Sequence, residues 1–180
     1  MKNIFLVICI IIIISNLCFG QTHKIPNEDN AIINLTVPED LWKFSGNSRM
    51  TNISPIEEGE ENRLMVMIWA SDNPEIDNAL DVITTDALAI AGNFLKDLTL
   101  EDDSYRFTIN NMSFIALDGQ GYYINDDGSK DLMTTTIMLF LPDKTNIMAL
   151  VYFASISADE KWKRSLNNII NSITSVKSNR

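Results

Sequence analysis

Leu132 to Ile156 reads LMTTTIMLFLPDKTNIMALVYFASI, two strand-like runs joined by a turn at Pro142, Asp143, Lys144 and Thr145. In the first run, the two-residue period of a strand puts Thr135, Ile137, Leu139 and Leu141 on one face. Thr134, Thr136, Met138 and Phe140 fall on the other. In the second run Ile147, Ala149, Val151 and Phe153 oppose Met148, Leu150, Tyr152 and Ala154. β-branched and aromatic residues suit such a pleated surface. Neither run alternates with polar residues near the turn, as a sheet with one wet face would. Both faces of this hairpin must therefore be covered by other parts of the chain.

Two amphipathic segments are candidates for the cover. Asn73-Pro74-Glu75 supplies an N-cap and a proline suited to the first helical position. Ile76, Leu80, Ile83, Ala87, Ile90, Phe94 and Leu98 then recur at helical spacing, which predicts a long mid-chain helix. After the hairpin, Ser157 and Glu160 form a capping-box pattern. Trp162, Leu166, Ile169, Ile170, Ile173 and Val176 follow as one stripe of a C-terminal helix. The remaining apolar runs read as strands: Ala31 to Val37, Leu41 to Phe44, Arg49 to Ile56, Leu64 to Trp69, Tyr105 to Ile109, Met112 to Leu117 and Gly121 to Asn125. Turn signals stand at Pro38-Glu39-Asp40, Asp118-Gly119 and Asp126-Asp127-Gly128. Short connections between consecutive strands favour antiparallel pairing. The expected fold class is α+β, a mainly antiparallel sheet sandwiched between a mid-chain helix and a C-terminal helix.

Met1 to Gly20 has the form of a secretory signal: Lys2 at the start, an apolar run from Ile4 to Ile14, and Cys18-Phe19-Gly20 before Gln21. The run is short for a membrane span. Lipid modification of Cys18 is the lesser alternative, since Asn16 and Leu17 replace the small residues such sites carry. The division expected is a signal peptide over 1–20, a flexible polar lead-in over 21–30 and one domain over 31–177. The exported chain is secreted or periplasmic and has no transmembrane segment.

Both cysteines, Cys9 and Cys18, lie in the leader. The exported chain is thereby without disulfides, thiol nucleophiles or thiolate metal sites. The whole chain carries 14 basic and 24 acidic residues, and loss of Lys2 with the leader makes the exported chain slightly more negative still. Nucleic acid and anionic membranes need a basic footprint, so neither is an expected partner. The acidic run Glu57-Glu58-Gly59-Glu60-Glu61 reads as a solvated loop.

The one histidine, His23, sits in the polar lead-in and reads as a solvated tail residue, so serine–histidine or cysteine–histidine chemistry is not expected. Asn125 to Asp131 (NDDGSKD) offers oxygen ligands on a glycine turn, a pattern that calcium can use. The closing glutamate of such a loop is missing, and Asp-Gly is an ordinary hairpin turn, so the turn is the reading taken. Asn34, Asn52 and Asn111 head N-glycosylation patterns, which matter only in a host that modifies exported proteins this way. Glycine-rich phosphate loops and dinucleotide fingerprints are absent. No residue stands out as catalytic, cofactor-binding or metal-ligating, and no cofactor is expected.

The run Ile33-Asn34-Leu35-Thr36-Val37-Pro38 with Trp42 soon after, an apolar strand feeding a long helix, Gly119 at a strand end, the long hairpin, and the close on Ile170-Asn171-Ser172-Ile173 together resemble the PsbP-like superfamily. That superfamily includes the extrinsic protein of the oxygen-evolving complex, a Ran-binding nuclear import factor and secreted bacterial proteins. The resemblance spans about Ala31 to Val176 and is one of architecture, with no catalytic motif and no partner-binding residues to match. It implies an antiparallel sheet between helices and a binding or assembly role. The functional expectation is an exported non-enzymatic binding or assembly module whose partner is a protein or a small envelope ligand. A carboxylate-dependent cell-envelope hydrolase is the alternative, given the abundance of acids.

Overall fold

The computed structural model describes residues 20–46, 50–57, 62–70, 89, 91–143 and 146–176, with 62–70 and 157–159 described by their backbone. The leader apart from Gly20, most of the acidic loop and most of the predicted mid-chain helix lie outside these residues.

The 132–156 stretch is the centre of the larger sheet. β9 (Lys130–Phe140) and β10 (Asn146–Ser155) pair antiparallel, with Met148 opposite Phe140 and Ala154 opposite Thr134. Outward from β10 come β5 (Asn62–Ala70), β4 (Met50–Pro55) and β3 (Trp42–Gly46). Outward from β9 come β8 (Met112–Ile124) and then β6 (Lys96–Leu100), while β7 (Tyr105–Ile109) also pairs with β8. Every strand pairing among the described residues is antiparallel.

Both faces of the hairpin are covered, as its pattern requires. Met138, Phe140, Met148, Leu150, Tyr152 and Ala154 pack with Trp162, Leu166, Ile169 and Ile170 of α1 (Ile156–Asn171). Ile137, Leu139, Ile147, Ala149, Val151 and Phe153 form a second cluster with Ala91 and Leu95. Phe94 lies against that cluster, with its ring centroid 5.5 Å from that of Phe153. Burying such side chains on both sides stabilises the sheet by about 1.5–3 kcal/mol for each large apolar residue.

Four expectations need correction. The lead-in Gln21 to Asn30 contains β1 (Gln21–Ile25), paired with β2 (Ile33–Val37) from Gln21 opposite Val37 to Ile25 opposite Ile33. Its polar composition suits an edge strand of a small sheet: Gln21, Thr22 and Lys24 are exposed, His23 is half-buried, and Ile25 supplies the buried anchor.

The C-terminal stripe does not continue as helix through Val176. The chain leaves α1 after Asn171, and β11 (Thr174–Ser175) joins the opposite edge of β2. Ser172 makes the exit: its hydroxyl donates to the Ile169 carbonyl at 2.6 Å and accepts the Thr36 amide at 2.8 Å. Asn110 Nδ2 donates to the carbonyls of Asn171 and Ile173, satisfying groups that a helix end leaves without partners.

The mid-chain stripe also ends early. Ala89 and Ala91 are helical, the Phe94 and Leu95 amides donate back to the Ala91 carbonyl, and Lys96 to Leu100 is already strand β6. Leu98, placed on the helical stripe, is therefore a strand residue, and Asp97 at a φ of 52° marks the irregular step where β6 meets β8.

Finally, Asp118-Gly119 is not a turn, because β8 runs straight through it. A Cβ on Gly119 would lie 2.4 Å from the Thr99 carbonyl oxygen, so glycine is there to let β6 approach. The two-residue turn between β7 and β8 is Asn110-Asn111, with φ of 47° and 65°, as a twisted hairpin requires.

Candidate functional site

The outer edge of β8 is shared by two strands. β7 takes Met112 to Ala116, and β6 takes Gly119 to Tyr122. The chain crosses between them at Glu101, whose amide donates to the Asp118 carbonyl at 2.8 Å. α1 covers the same face of the sheet farther over, and a cleft of about 890 Å³ remains between α1, β7 and the floor of β8 and β9.

The floor follows from register. Asp118 stands opposite Thr136, and Thr136 stands opposite Tyr152, so one cross-strand row runs beneath the cleft. Gln120 opposite Thr134 forms the next row. On β9 these threonines share a face with Met138 and Phe140, so the buried apolar face turns polar where α1 no longer covers it. One wall is β7, which contributes Tyr105 and Phe107. The other is α1, where Lys163, Asn167 and Asn171 recur every four residues and therefore line up along one side of the helix.

Asp118 Oδ1 accepts the Thr136 hydroxyl at 2.6 Å and the Tyr105 hydroxyl at 3.3 Å. Burial raises the Tyr105 phenol above its ordinary value, and the Asp118 charge, the hydrogen bond to it and the Glu101 charge push the same way. Tyr105 thus stays protonated and donating across the physiological range. Its ring begins a stacked row: Tyr105 to Phe107 at 6.0 Å, Phe107 to Phe114 at 5.1 Å and Phe114 to Phe140 at 4.5 Å between centroids. This row ties the rim of the cleft to the core, which keeps the β7 wall in place.

The Asn125 to Asp131 loop is built as a hairpin turn. Gly128 has a φ of 83°, Asp127 Oδ1 accepts the Ser129 amide at 2.9 Å, and Asn125 Nδ2 donates to Ser129 Oγ and Asp131 Oδ2. The bonds to Ser129 hold the Asp127 carboxyl below its ordinary value. Among the described residues, no group of three or more His, Asp or Glu side chains is disposed to hold a metal ion. Asn34 and Asn52 lie within β2 and β4, and Asn111 sits in the exposed β7–β8 turn.

His23 is not a solvated tail residue. It stacks on Phe44 with ring centroids 3.7 Å apart and planes within 9°. Its Nε2 is buried, has no hydrogen-bond partner among the described residues and stands 3.8 Å from Glu39 Oε1. Desolvation lowers its pKa, against the opposing pull of the Glu39 charge. The packing is structural, and it fixes β1 beside β3.

No cleft residue is identifiable as such from a single motif, because the residues come from six elements between Thr99 and Asn171. The usable signal is Thr134 and Thr136 on a core-facing alternation, opposite Asp118 and Gln120.

No protein-family model matches the chain, and no curated protein does. Solved structures do. Cyanobacterial PsbP (CyanoP) from Synechocystis sp. PCC 6803 is 12% identical, covers 89% of this chain and 95% of its own, and superposes with a TM-score of 0.58. LpqN, involved in cell envelope biogenesis of Mycobacterium tuberculosis, is 14% identical over 87% of this chain and 91% of its own, at 0.54. The Ran-binding protein Mog1p of Saccharomyces cerevisiae is 9% identical over 88% and 97%, at 0.49. The chain has the PsbP-like fold, as the sequence resemblance implies. At such identities the likeness is one of fold.

Proposed function

We propose that this chain is an exported, non-enzymatic binding or assembly module of the cell envelope or extracellular space, and that it binds through the cleft beside α1. The carrying observation is the state of Asp118. Its Oδ1 is engaged by two hydroxyls, one from each side, as part of a fixed polar floor. A glycosidase-type carboxylate pair would instead face a substrate from two sides. A pocket with a few converging polar groups and an aromatic wall is the usual form of a binding site. Export rests on the Met1 to Gly20 leader, and the envelope role of LpqN, which belongs to that protein, is in keeping with it. Among the described residues no helix is long and apolar enough to cross a membrane.

The hydrolase alternative has one observation in its favour: Glu101 and Asp118 both line the cleft. The test is capture from the native exported fraction with the tagged full chain, comparing wild type with Gln120→Trp. Gln120 is exposed, so the indole obstructs the floor without entering the core. A partner retained by wild type and lost by Gln120→Trp is expected. Turnover of an envelope polymer that Asp118→Asn abolishes would establish the hydrolase instead. Mass spectrometry of the exported chain should find Gln21 first. An acyl group on Cys18 would move the protein to the lipid-anchored class.

A further inference from the structure

We infer that the cleft takes a neutral, polyhydroxylated ligand, an oligosaccharide segment, held between the Tyr105 ring and the polar floor. This deepens the binding-module reading and rests on it.

The cleft offers several hydrogen-bonding groups that the protein leaves unused. Asp118 uses Oδ1 for both of its protein donors, which leaves Oδ2 without a protein partner among the described residues. The Gln120 and Asn167 carboxamides and the Lys163 ammonium likewise have no side-chain protein partner among the described residues. These groups are a mixed set. The carboxylate accepts, the ammonium donates, and each carboxamide does both at neighbouring atoms. A sugar hydroxyl also donates and accepts, and vicinal hydroxyls present the two functions side by side. The set therefore matches a dense array of hydroxyls better than a ligand of one sign.

Charge points the same way. The cleft carries Glu101 and Asp118 against Lys163, within a chain of net charge −10. An anionic ligand would be repelled at long range. An extended peptide is disfavoured for a different reason. Peptides that join a sheet are held by unpaired main-chain groups at its edge. Here the floor strands β8 and β9 are paired on both sides, so recognition falls to side chains.

The aromatic wall completes the fit. Tyr105 is 44% exposed at the outer end of the stacked row. An aromatic surface beside planar polar side chains suits a sugar ring, which has apolar C–H faces and polar edges. The cleft volume of about 890 Å³ is near the top of the small-molecule range, which suits several linked rings.

The experiment is isothermal titration calorimetry of the exported chain with cellotetraose, maltotetraose, chitotetraose and mannotetraose. Tetragalacturonate and tetralysine serve as charged controls. Saturable binding of at least one neutral tetrasaccharide is expected, weakened about tenfold or more by Tyr105→Ala and by Asn167→Ala. Tyr105→Phe should retain most of the affinity, because the ring stays. Both positions are exposed, and unchanged melting temperatures would verify that the variants fold. Absence of binding to all four neutral sugars, binding that neither variant weakens, or binding of a charged control alone would overturn the inference. A protein partner that depends on the cleft, with no sugar bound, would overturn the saccharide ligand and leave the binding-module reading standing. Cleavage of a bound sugar, lost in Asp118→Asn, would overturn the binding-module reading and keep the ligand class.

Discussion

The Trp42 indole N–H donates to Ser165 Oγ at 2.7 Å, joining β3 at one margin of the sheet to the middle of α1. The Trp162 ring meets Trp42 edge to face, with centroids 5.3 Å apart, so the two tryptophans form one unit. α1 is positioned by this unit at the β3 side, and the cleft opens at its other side, where Asn167 and Asn171 border β7.

Trp162→Ala should therefore cost on the order of 3–5 kcal/mol in urea denaturation, because the residue is 7% exposed and its removal leaves a cavity against Trp42. A loss below about 1 kcal/mol would mean that α1 is held mainly by its other contacts.

Stability should depend on pH through His23. Its folded pKa lies below the ordinary value of 6.5, so below that value the unfolded chain binds the proton more readily than the folded one. The stabilisation is complete above 6.5 and declines as pH falls through the window between the unfolded and folded values. Denaturation midpoints should fall as the solution is taken from mildly alkaline to mildly acidic. The share of that slope due to this residue should vanish in His23→Phe, whose ring can keep the stack on Phe44. Midpoints that rise on acidification would show that the Glu39 pair outweighs desolvation.

Gly119→Ala places a Cβ 2.4 Å from the Thr99 carbonyl and must push β6 away. A loss of about 1–3 kcal/mol is expected, of the size overpacking produces. Amide exchange should locate the damage to Lys96–Leu100 and leave the β9–β10 pairing protected. Unchanged stability would mean that β6 contributes little to the sheet.

The Asn125 to Asp131 turn should behave as a turn. Calcium and magnesium should shift the melting temperature alike, because the loop carboxylates already accept bonds from Ser129 and Asn125. A saturable, calcium-selective stabilisation abolished by Asp127→Asn would identify a metal site.

Much of this architecture is legible in the chain because burial writes itself into periodicity. The two faces of Ile137 to Leu139 and Met148 to Ala154 divide between the two clusters as their alternation requires. Sequence and fold part where local signals conflict with long-range contacts. Gly119 carries a turn signal, yet its role is the approach of a strand about twenty residues away in sequence. Leu98 keeps the helical spacing, yet pairing with β8 draws its neighbours into β6. Gln21 to Ile25 has the composition of a tail, and only its partner β2 makes it a strand. The cleft is hidden for the same reason. Asp118, Thr136, Tyr105 and Asn167 are unremarkable one by one, and only sheet register and the placement of α1 bring them together.

Binding through the cleft is tested most directly by where the partner touches. A photo-crosslinking residue placed at Gln120 or Asn167, in the cleft, and at Glu28, outside it, can be activated in the exported fraction and the adducts read by mass spectrometry. One shared adduct from Gln120 and Asn167, and none from Glu28, is the predicted result. An adduct formed from Glu28 alone would contradict a binding role for the cleft.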